Sequence, residues 1–133
     1  MTRPLPITNA YTRPFWKSAA EGRLSVPRCA QCGRLHWTPA PRCPHCSSNA
    51  LGWQTLSGRG RLIGWTTVHL DVLPGVPPPF TLCAVELNEQ QGLILSALVD
   101  SSQGATLKLG TEAQIEFEPP TTSDIALPLI TIL

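Results

Sequence analysis

The chain has 133 residues, of which 14 are proline, five are cysteine and only 14% are charged. This length suits one compact domain or two very small ones, and the scattered prolines exclude a long helical bundle. No stretch reaches the roughly 18 apolar residues of a membrane-spanning helix. The first ten residues also lack the apolar segment of a signal peptide, so we expect a cytoplasmic protein without membrane contact.

The net charge of +1 conceals a strong asymmetry between the two halves. Residues 1–61 contain nine basic residues and one acidic residue, a net charge of +8. Residues 62–133 contain one basic residue and eight acidic residues, a net charge of −7. This distribution indicates a basic N-terminal face. The face either meets an anionic partner, such as nucleic acid or a phosphate-bearing cofactor, or neutralises the acidic half of the same chain.

Residues 1–25 are predicted to form an N-terminal arm followed by a short helix. Prolines keep the first ten residues extended, and a helix is predicted from Pro14 to Glu21, with Gly22 at its end. Two helical turns are too short to be stable alone in water. The helix, which carries Phe15 and Trp16, must therefore dock on this chain or on a partner.

Residues 26–50 contain two Cys-x-x-Cys pairs separated by ten residues, at Cys29, Cys32, Cys43 and Cys46. Four thiolates complete a tetrahedral zinc site and leave no open position, so we predict one structural Zn²⁺ per chain in a zinc ribbon. Two disulfides and a redox-active cysteine pair are the alternatives. Because no secretory signal is visible and cytosolic thiols stay reduced, zinc is favoured.

Residues 51–133 are predicted to form a barrel. Strand-forming runs occur at residues 51–56, 61–70, 80–87, 93–99, 112–118 and 125–133. The first run is short, and a ribbon followed by the five other strands, with no long helix, is typical of a small Greek-key barrel of the OB type. The predicted fold is therefore mainly β: a short N-terminal helix, a zinc ribbon and a five-stranded OB-fold barrel.

The run from Leu93 to Val99 is apolar on both faces. A small barrel covers only the inner face of a strand, so the outer face needs the N-terminal helix or another subunit. We therefore predict a partner interface that includes Phe15, Trp16, Leu93 and Leu95.

The chemistry-bearing side chains form no convincing catalytic set. Of the three histidines, His36, His45 and His69, His45 lies inside a cysteine turn and His69 at the end of a strand, and the acids are scattered without useful spacing. Cys83 lies in an apolar run and is predicted to be a buried small hydrophobe rather than a nucleophile. The sequence favours a chain that is not an enzyme on its own.

A series of short motifs covers nearly the whole chain. The first are Pro14-Phe15-Trp16, Gly22-Arg23-Leu24, Cys29-Ala30-Gln31-Cys32-Gly33 and Cys43-Pro44-His45-Cys46. They continue with Ser57-Gly58-Arg59-Gly60, Trp65-Thr66-Thr67-Val68-His69, Phe80-Thr81-Leu82, Val85-Glu86-Leu87 and Leu109-Gly110. In this order they resemble the thiolase-associated zinc-ribbon/OB-fold family. The resemblance implies a helical arm, a rubredoxin-like zinc ribbon and a C-terminal OB barrel.

The resemblance also implies a role in acyl-CoA metabolism. Members are small non-catalytic subunits, or fused domains, that bind a thiolase-superfamily enzyme and help to form its substrate channel. The reactions include thiolysis or condensation, acyl transfer to aromatic rings and retro-aldol cleavage of steroid side-chain CoA thioesters. A hetero-oligomer with a thiolase-superfamily subunit is therefore expected, with acyl-CoA bound through the complex. Arg59 and Arg61 either open a strand or contact a CoA phosphate.

Two other functions stay open. OB barrels often bind single-stranded nucleic acid, and the N-terminal half of this chain is basic. The barrel segment is acidic, however, and Trp65 lies among β-branched residues that suggest packing rather than base stacking. A hydrolase or transferase within this chain alone lacks residues to support it.

Overall fold

The structure is a computed structural model that describes residues 3–99, 107–120 and 124–133. These residues form one helix and seven strands. The elements are α1 (Arg13–Ala20), β1 (Leu24–Cys29), β2 (Leu51–Leu56), β3 (Arg59–Val68), β4 (Phe80–Leu87), β5 (Ile94–Val99), β6 (Glu112–Phe117) and β7 (Pro128–Ile132). The prediction of a mainly β chain with one short helix is confirmed. No helix in this part of the chain is long and apolar enough to span a membrane.

Helix α1 packs on the chain itself. Pro14 occupies the first turn, and Gly22 adopts a positive φ of 79° just beyond the end, a conformation that glycine reaches without strain. The Phe15 side chain is 2% exposed, and its ring lies 4.6 Å from that of Trp37 and 5.9 Å from that of Phe117. Phe15 thus fills the space between Trp37 of the ribbon and Phe117 of β6. This packing explains how so short a helix is stable.

Strands β1 and β2 form a separate two-stranded antiparallel sheet, in which Leu24 pairs with Leu56 and Cys29 with Leu51. The sequence places residues 51–56 in the barrel segment, but in the structure this strand pairs with β1 and lies outside the closed barrel. The cysteine-bearing loop between the two strands returns the chain beside β1, so β2 completes the ribbon instead. The boundaries drawn at residues 1–25, 26–50 and 51–133 stay a prediction.

The five remaining strands close into a barrel in the order β3-β4-β5-β7-β6. Neighbours are antiparallel except β5 and β7, which run parallel. Strand β3 closes the barrel because Gly60 pairs with Leu87 of β4 on one side and with Ala113 of β6 on the other. The predicted five-stranded OB-type barrel is confirmed.

Gly60 is required by close packing rather than by its backbone angles. A Cβ atom added there would lie 2.3 Å from the carbonyl oxygen of Glu86 and 2.6 Å from a methyl carbon of Val85. Gly64 lies on the same strand, and an added Cβ would meet nothing within 4 Å. The close approach of β3 to β4 therefore leaves no room for a side chain at residue 60, whereas there is room for one at residue 64.

The side chains of Leu93 and Leu95 point into the barrel, where each is 2% exposed. Their predicted role in a partner interface is therefore wrong, because they offer no surface to another subunit. The outer face of β5 carries Ile94, which is 41% exposed, while Leu98 is 8% exposed. Phe15 is also buried within the chain and is removed from the predicted interface for the same reason.

One side chain of the barrel, that of Gln90, makes two hydrogen bonds to the ribbon. The Leu35 backbone N–H donates to Gln90 Oε1 at 2.9 Å, and Gln90 Nε2 donates to the Leu35 carbonyl at 2.6 Å. The backbone groups of Arg34 and His36 bond to β1, at Cys29 N–H and at the Pro27 carbonyl. The groups of Leu35 consequently face away from β1, where the Gln90 amide pairs with them as a neighbouring strand would.

Candidate metal centre

The four cysteines of the two Cys-x-x-Cys pairs meet in one cluster. Cys29 is the last residue of β1, Cys32 follows in the next turn, and Cys43 and Cys46 lie in the second turn before β2. Their Sγ atoms all lie within 4.8 Å of one another. Two separations between the pairs are 3.5 Å for Cys29–Cys46 and 3.7 Å for Cys32–Cys43. The two turns therefore converge on one point.

These separations fit a single metal ion. Four sulfurs about 2.3 Å from a tetrahedral ion lie roughly 3.8 Å from one another. The observed sulfur distances are close to this value and far from the ~2.05 Å of a disulfide bond. Cys29 and Cys43 are buried while Cys32 and Cys46 are exposed, so the cluster lies at the edge of the ribbon. The four cysteines are positioned to bind a metal ion.

Backbone N–H groups point at the buried sulfurs. The Cys32 N–H donates to Cys29 Sγ and the His45 N–H donates to Cys43 Sγ, both at 3.4 Å. Hydrogen bonds of this kind favour the thiolate form, which is the form that binds metal. His45 therefore serves the turn through its backbone, while its side chain is exposed.

The same contacts change the pKa values of the cluster. The hydrogen bond from the Cys32 backbone leads the effects that lower the pKa of Cys29 to about 6, against an opposing effect of burial. Burial raises the pKa of Cys43, but backbone donors, including the His45 N–H, bring it below its ordinary value. At Cys46 the Ser48 backbone lowers the pKa, yet burial and the three neighbouring sulfurs raise it to about 12. Four thiolates this close together repel one another, so a cation would stabilise the cluster.

Cys83 lies outside this cluster, as predicted. Its side chain is 1% exposed inside the barrel, and burial raises the pKa of its thiol. A buried thiol with a raised pKa is a poor nucleophile. The prediction that Cys83 is a buried small hydrophobe is confirmed.

Both arginines of β3 are exposed, and Arg61 lies opposite acidic residues on each neighbouring strand. Arg61 is paired in register with Glu86 of β4 and with Glu112 of β6, and Arg59 is paired with Gln114. Carboxylates on both flanking strands weaken the attraction of Arg61 for an anion. Contact of these arginines with a CoA phosphate stays a prediction.

Trp16, Trp65 and His36 differ in how far each side chain is buried. Trp16 is partly buried and packs edge-on against Phe15, with ring centroids 4.8 Å apart, and its role in a partner interface stays a prediction. Trp65 is 43% exposed, so the packing that its β-branched neighbours suggested is incomplete. His36 is buried, with Nδ1 3.1 Å from the Thr38 carbonyl oxygen.

Two features of the ribbon were not predicted from the sequence. Gln90 reaches Leu35 across 55 positions of sequence, and no local pattern marks such a contact. An arginine directly before each cysteine pair, Arg28 and Arg42, bonds across its own turn. The second feature had a visible signal, because the stretch Arg-Cys-x-x-Cys occurs twice.

Two family models match consecutive parts of the chain. Residues 16–52 match the ChsH2 rubredoxin-like zinc ribbon domain, and residues 53–118 match the ChsH2 C-terminal OB-fold domain. The chain belongs to the ChsH2 zinc-ribbon/OB-fold family. The resemblance drawn from the sequence motifs is confirmed, and the cysteine cluster lies within the ribbon of a ChsH2-type domain.

Two curated relatives of this ChsH2-type chain are subunits of larger enzymes. A probable enoyl-CoA hydratase alpha subunit of Thermomonospora curvata is 33% identical over 94 residues, which is 69% of this chain and 29% of that protein. The 3-oxo-4,17-pregnadiene-20-carboxyl-CoA hydratase alpha subunit of Mycobacterium tuberculosis is 30% identical over 84 residues, 63% of this chain and 27% of that protein. The chain thus spans less than a third of either relative.

Solved structures share the complete fold of this ChsH2-type chain. A chain of the Ltp2-ChsH2(DUF35) aldolase superimposes with a TM-score of 0.84 at 24% identity, covering 96% of this chain and 98% of that chain. A DUF35 protein of unknown function from Sulfolobus solfataricus gives a TM-score of 0.66 at 15% identity, covering 95% and 87%. The arrangement of helix, ribbon and barrel therefore persists at low sequence identity.

Proposed function

We propose that this chain is a non-catalytic accessory subunit of a thiolase-superfamily enzyme that acts on acyl-CoA substrates. The observation that carries the proposal is the match to ribbon and barrel domains of ChsH2 over residues 16–118. The fold also matches a ChsH2 domain in a structure named as an aldolase with Ltp2. The partner supplies the catalytic residues, and this chain stabilises it and helps to form its substrate channel.

The acyl-CoA setting is supported by the names of the two curated relatives, both subunits of enzymes that act on CoA thioesters. Their hydratase activity is not assigned to this chain, because it spans less than a third of their length. The reaction class that we propose for the complex is thiolysis or condensation, acyl transfer, or retro-aldol cleavage of a steroid side-chain CoA thioester.

We propose that the metal is one Zn²⁺, held by Cys29, Cys32, Cys43 and Cys46. Soft thiolates in a tetrahedral set select zinc over harder divalent ions. Four protein ligands leave no position for substrate, so the ion acts in folding. The ion would fix the two turns of the ribbon. The ribbon is in turn held on the barrel by the hydrogen bonds of Gln90 to Leu35 and by the packing of Phe15 against Phe117.

The surface that faces the partner is proposed to include the exposed part of Trp16 on α1. A partly exposed aromatic side chain is a common anchor of protein interfaces. The complex is proposed to be a hetero-oligomer in the cytoplasm, where the thiols of the ribbon stay reduced.

Co-expression tests the proposal. The tagged chain is produced together with each thiolase-superfamily protein encoded by the same genome, and complexes are analysed by size-exclusion chromatography with light scattering. We expect one such protein to co-purify at a fixed stoichiometry, and Trp16→Ala to weaken that complex while leaving the metal content unchanged. A chain that stays monomeric beside every candidate would refute the accessory role. Tight, salt-resistant binding to a single-stranded oligonucleotide would favour the nucleic-acid alternative.

A further inference from the structure

The two metal-binding turns repeat one local pattern, which the sequence shows as arginine, cysteine, two variable residues, cysteine and a turn residue. In each turn the residue after the second cysteine has a positive φ, 78° at Gly33 and 65° at Ser47. Its N–H donates at 2.9 Å to the carbonyl of the first cysteine, Cys29 or Cys43. The two stretches are Arg28–Gly33 and Arg42–Ser47.

The arginine side chain closes each turn in the same way. Arg28 Nε donates to the Gly33 carbonyl at 3.4 Å, and Arg42 Nη1 donates to the Ser47 carbonyl at 3.1 Å. A Cβ atom added at Gly33 would lie 3.8 Å from the Arg28 guanidinium, which shows that the charged group lies over the turn. Each guanidinium is therefore hydrogen-bonded to the residue that directly follows the second cysteine of its turn.

The arginines of the ribbon are opposite in charge to a metal site made of four thiolates. Four thiolates with one divalent ion carry a net charge of −2, and residues 22–58 contain four arginines and no acidic residue. We propose that Arg28 and Arg42 are a matched pair of positioning residues for the metal, one for each turn. Each closes its turn behind the second cysteine and places positive charge beside the tetrathiolate. This inference rests on the proposed zinc site.

Zinc release from the full-length chain tests the pairing. Arg28→Met and Arg42→Met remove one closing contact each. Arg34→Met is the matched control, because Arg34 is an exposed arginine of the same ribbon without a side-chain hydrogen bond in the described part of the chain. Transfer of Zn²⁺ to 4-(2-pyridylazo)resorcinol is followed by absorbance, with circular dichroism to verify folding. We expect roughly three- to tenfold faster release in each of the first two variants, the effect of losing one ordinary hydrogen bond at an exposed site.

Spectroscopy and rescue separate positioning from general stability. In the Co²⁺-substituted chain, the sulfur-to-metal charge-transfer band should shift in Arg28→Met and Arg42→Met but not in Arg34→Met. Arg28→Lys should restore part of the slow release, because lysine keeps the charge and one donor. The pairing is overturned if the first two variants release zinc no faster than Arg34→Met. A wild-type chain without zinc would overturn the proposed metal as well, whereas one zinc per chain with unchanged release rates would overturn only the pairing.

Discussion

Replacing Gln90 by glutamate should loosen the ribbon from the barrel. The substitution keeps the size of the side chain and the acceptor for the Leu35 N–H at 2.9 Å. It replaces the Nε2 donor, which lies 2.6 Å from the Leu35 carbonyl, by a carboxylate oxygen. Two oxygens without a proton between them repel at that distance, so the contact that joins ribbon and barrel opens.

The expected cost combines two effects. The lost hydrogen bond contributes about 0.5–1.5 kcal/mol, and the unsatisfied carbonyl adds about 1–3 kcal/mol if it stays buried. Because Gln90 is only partly buried and water can reach the opened contact, we expect a loss of about 2 kcal/mol in the free energy of unfolding at pH 7.

Urea unfolding at constant zinc concentration measures this loss. Gln91→Glu is the matched control, because Gln91 is the exposed neighbour of Gln90 and its substitution by glutamate introduces the same charge. The penalty should shrink as the pH falls from 7 toward 5. Folding disfavours the ionised carboxyl, and the protonated carboxyl can donate to the Leu35 carbonyl again, so the destabilisation is present at high pH and lost at low pH. Equal stability of the two variants, within about 0.5 kcal/mol across this range, would refute the reasoning.

Three further substitutions or reactions test the fold and the metal centre. Gly60→Ala should destabilise the barrel by about 1–3 kcal/mol, because the added Cβ would overlap the Glu86 carbonyl oxygen, whereas Gly64→Ala should be neutral or slightly stabilising. Thermal unfolding compares the two variants, and equal melting temperatures would contradict the close approach of β3 to β4. Cys43→Ser should lose bound zinc, measured by elemental analysis, and unfold the ribbon, since structural zinc contributes on the order of 10 kcal/mol to small zinc modules; full zinc occupancy in this variant would exclude Cys43 as a ligand. Cys83 should react with a thiol reagent only when the barrel unfolds, because its thiol is buried and its pKa is raised, and fast labelling of the native chain would contradict that burial.

Local patterns predicted the elements whose causes are local. Two closely spaced cysteine pairs specify a metal-binding turn, and Pro14 and Gly22 mark the ends of a helix found at Arg13–Ala20. The run at residues 112–118 predicted a strand, and Glu112–Phe117 forms one in which Ala113 and Ile115 are buried. In each case the information lies within a few residues of the feature that it determines.

Pairing partners and strand faces depend on distant residues and were predicted less well. The run at residues 93–99 is apolar at nearly every position, so its sequence has no period that separates inside from outside. Register with β4 decides the question, because Leu95 pairs with the fully buried Val85 and both side chains share the inner face. The strand at residues 51–56 likewise lies outside the closed barrel, and nothing within it indicates that β1 is its partner.

Titration of the partner enzyme with this chain addresses the proposed role most directly. A thiolase-superfamily protein that co-purifies with the chain is prepared alone, and its turnover of acyl-CoA substrate is measured as the zinc-loaded chain is added. We predict that the chain alone has no turnover, and that the partner's activity rises and saturates at the stoichiometry of the complex. A partner that is fully active without the chain, or a chain that turns over acyl-CoA alone, would contradict the accessory role.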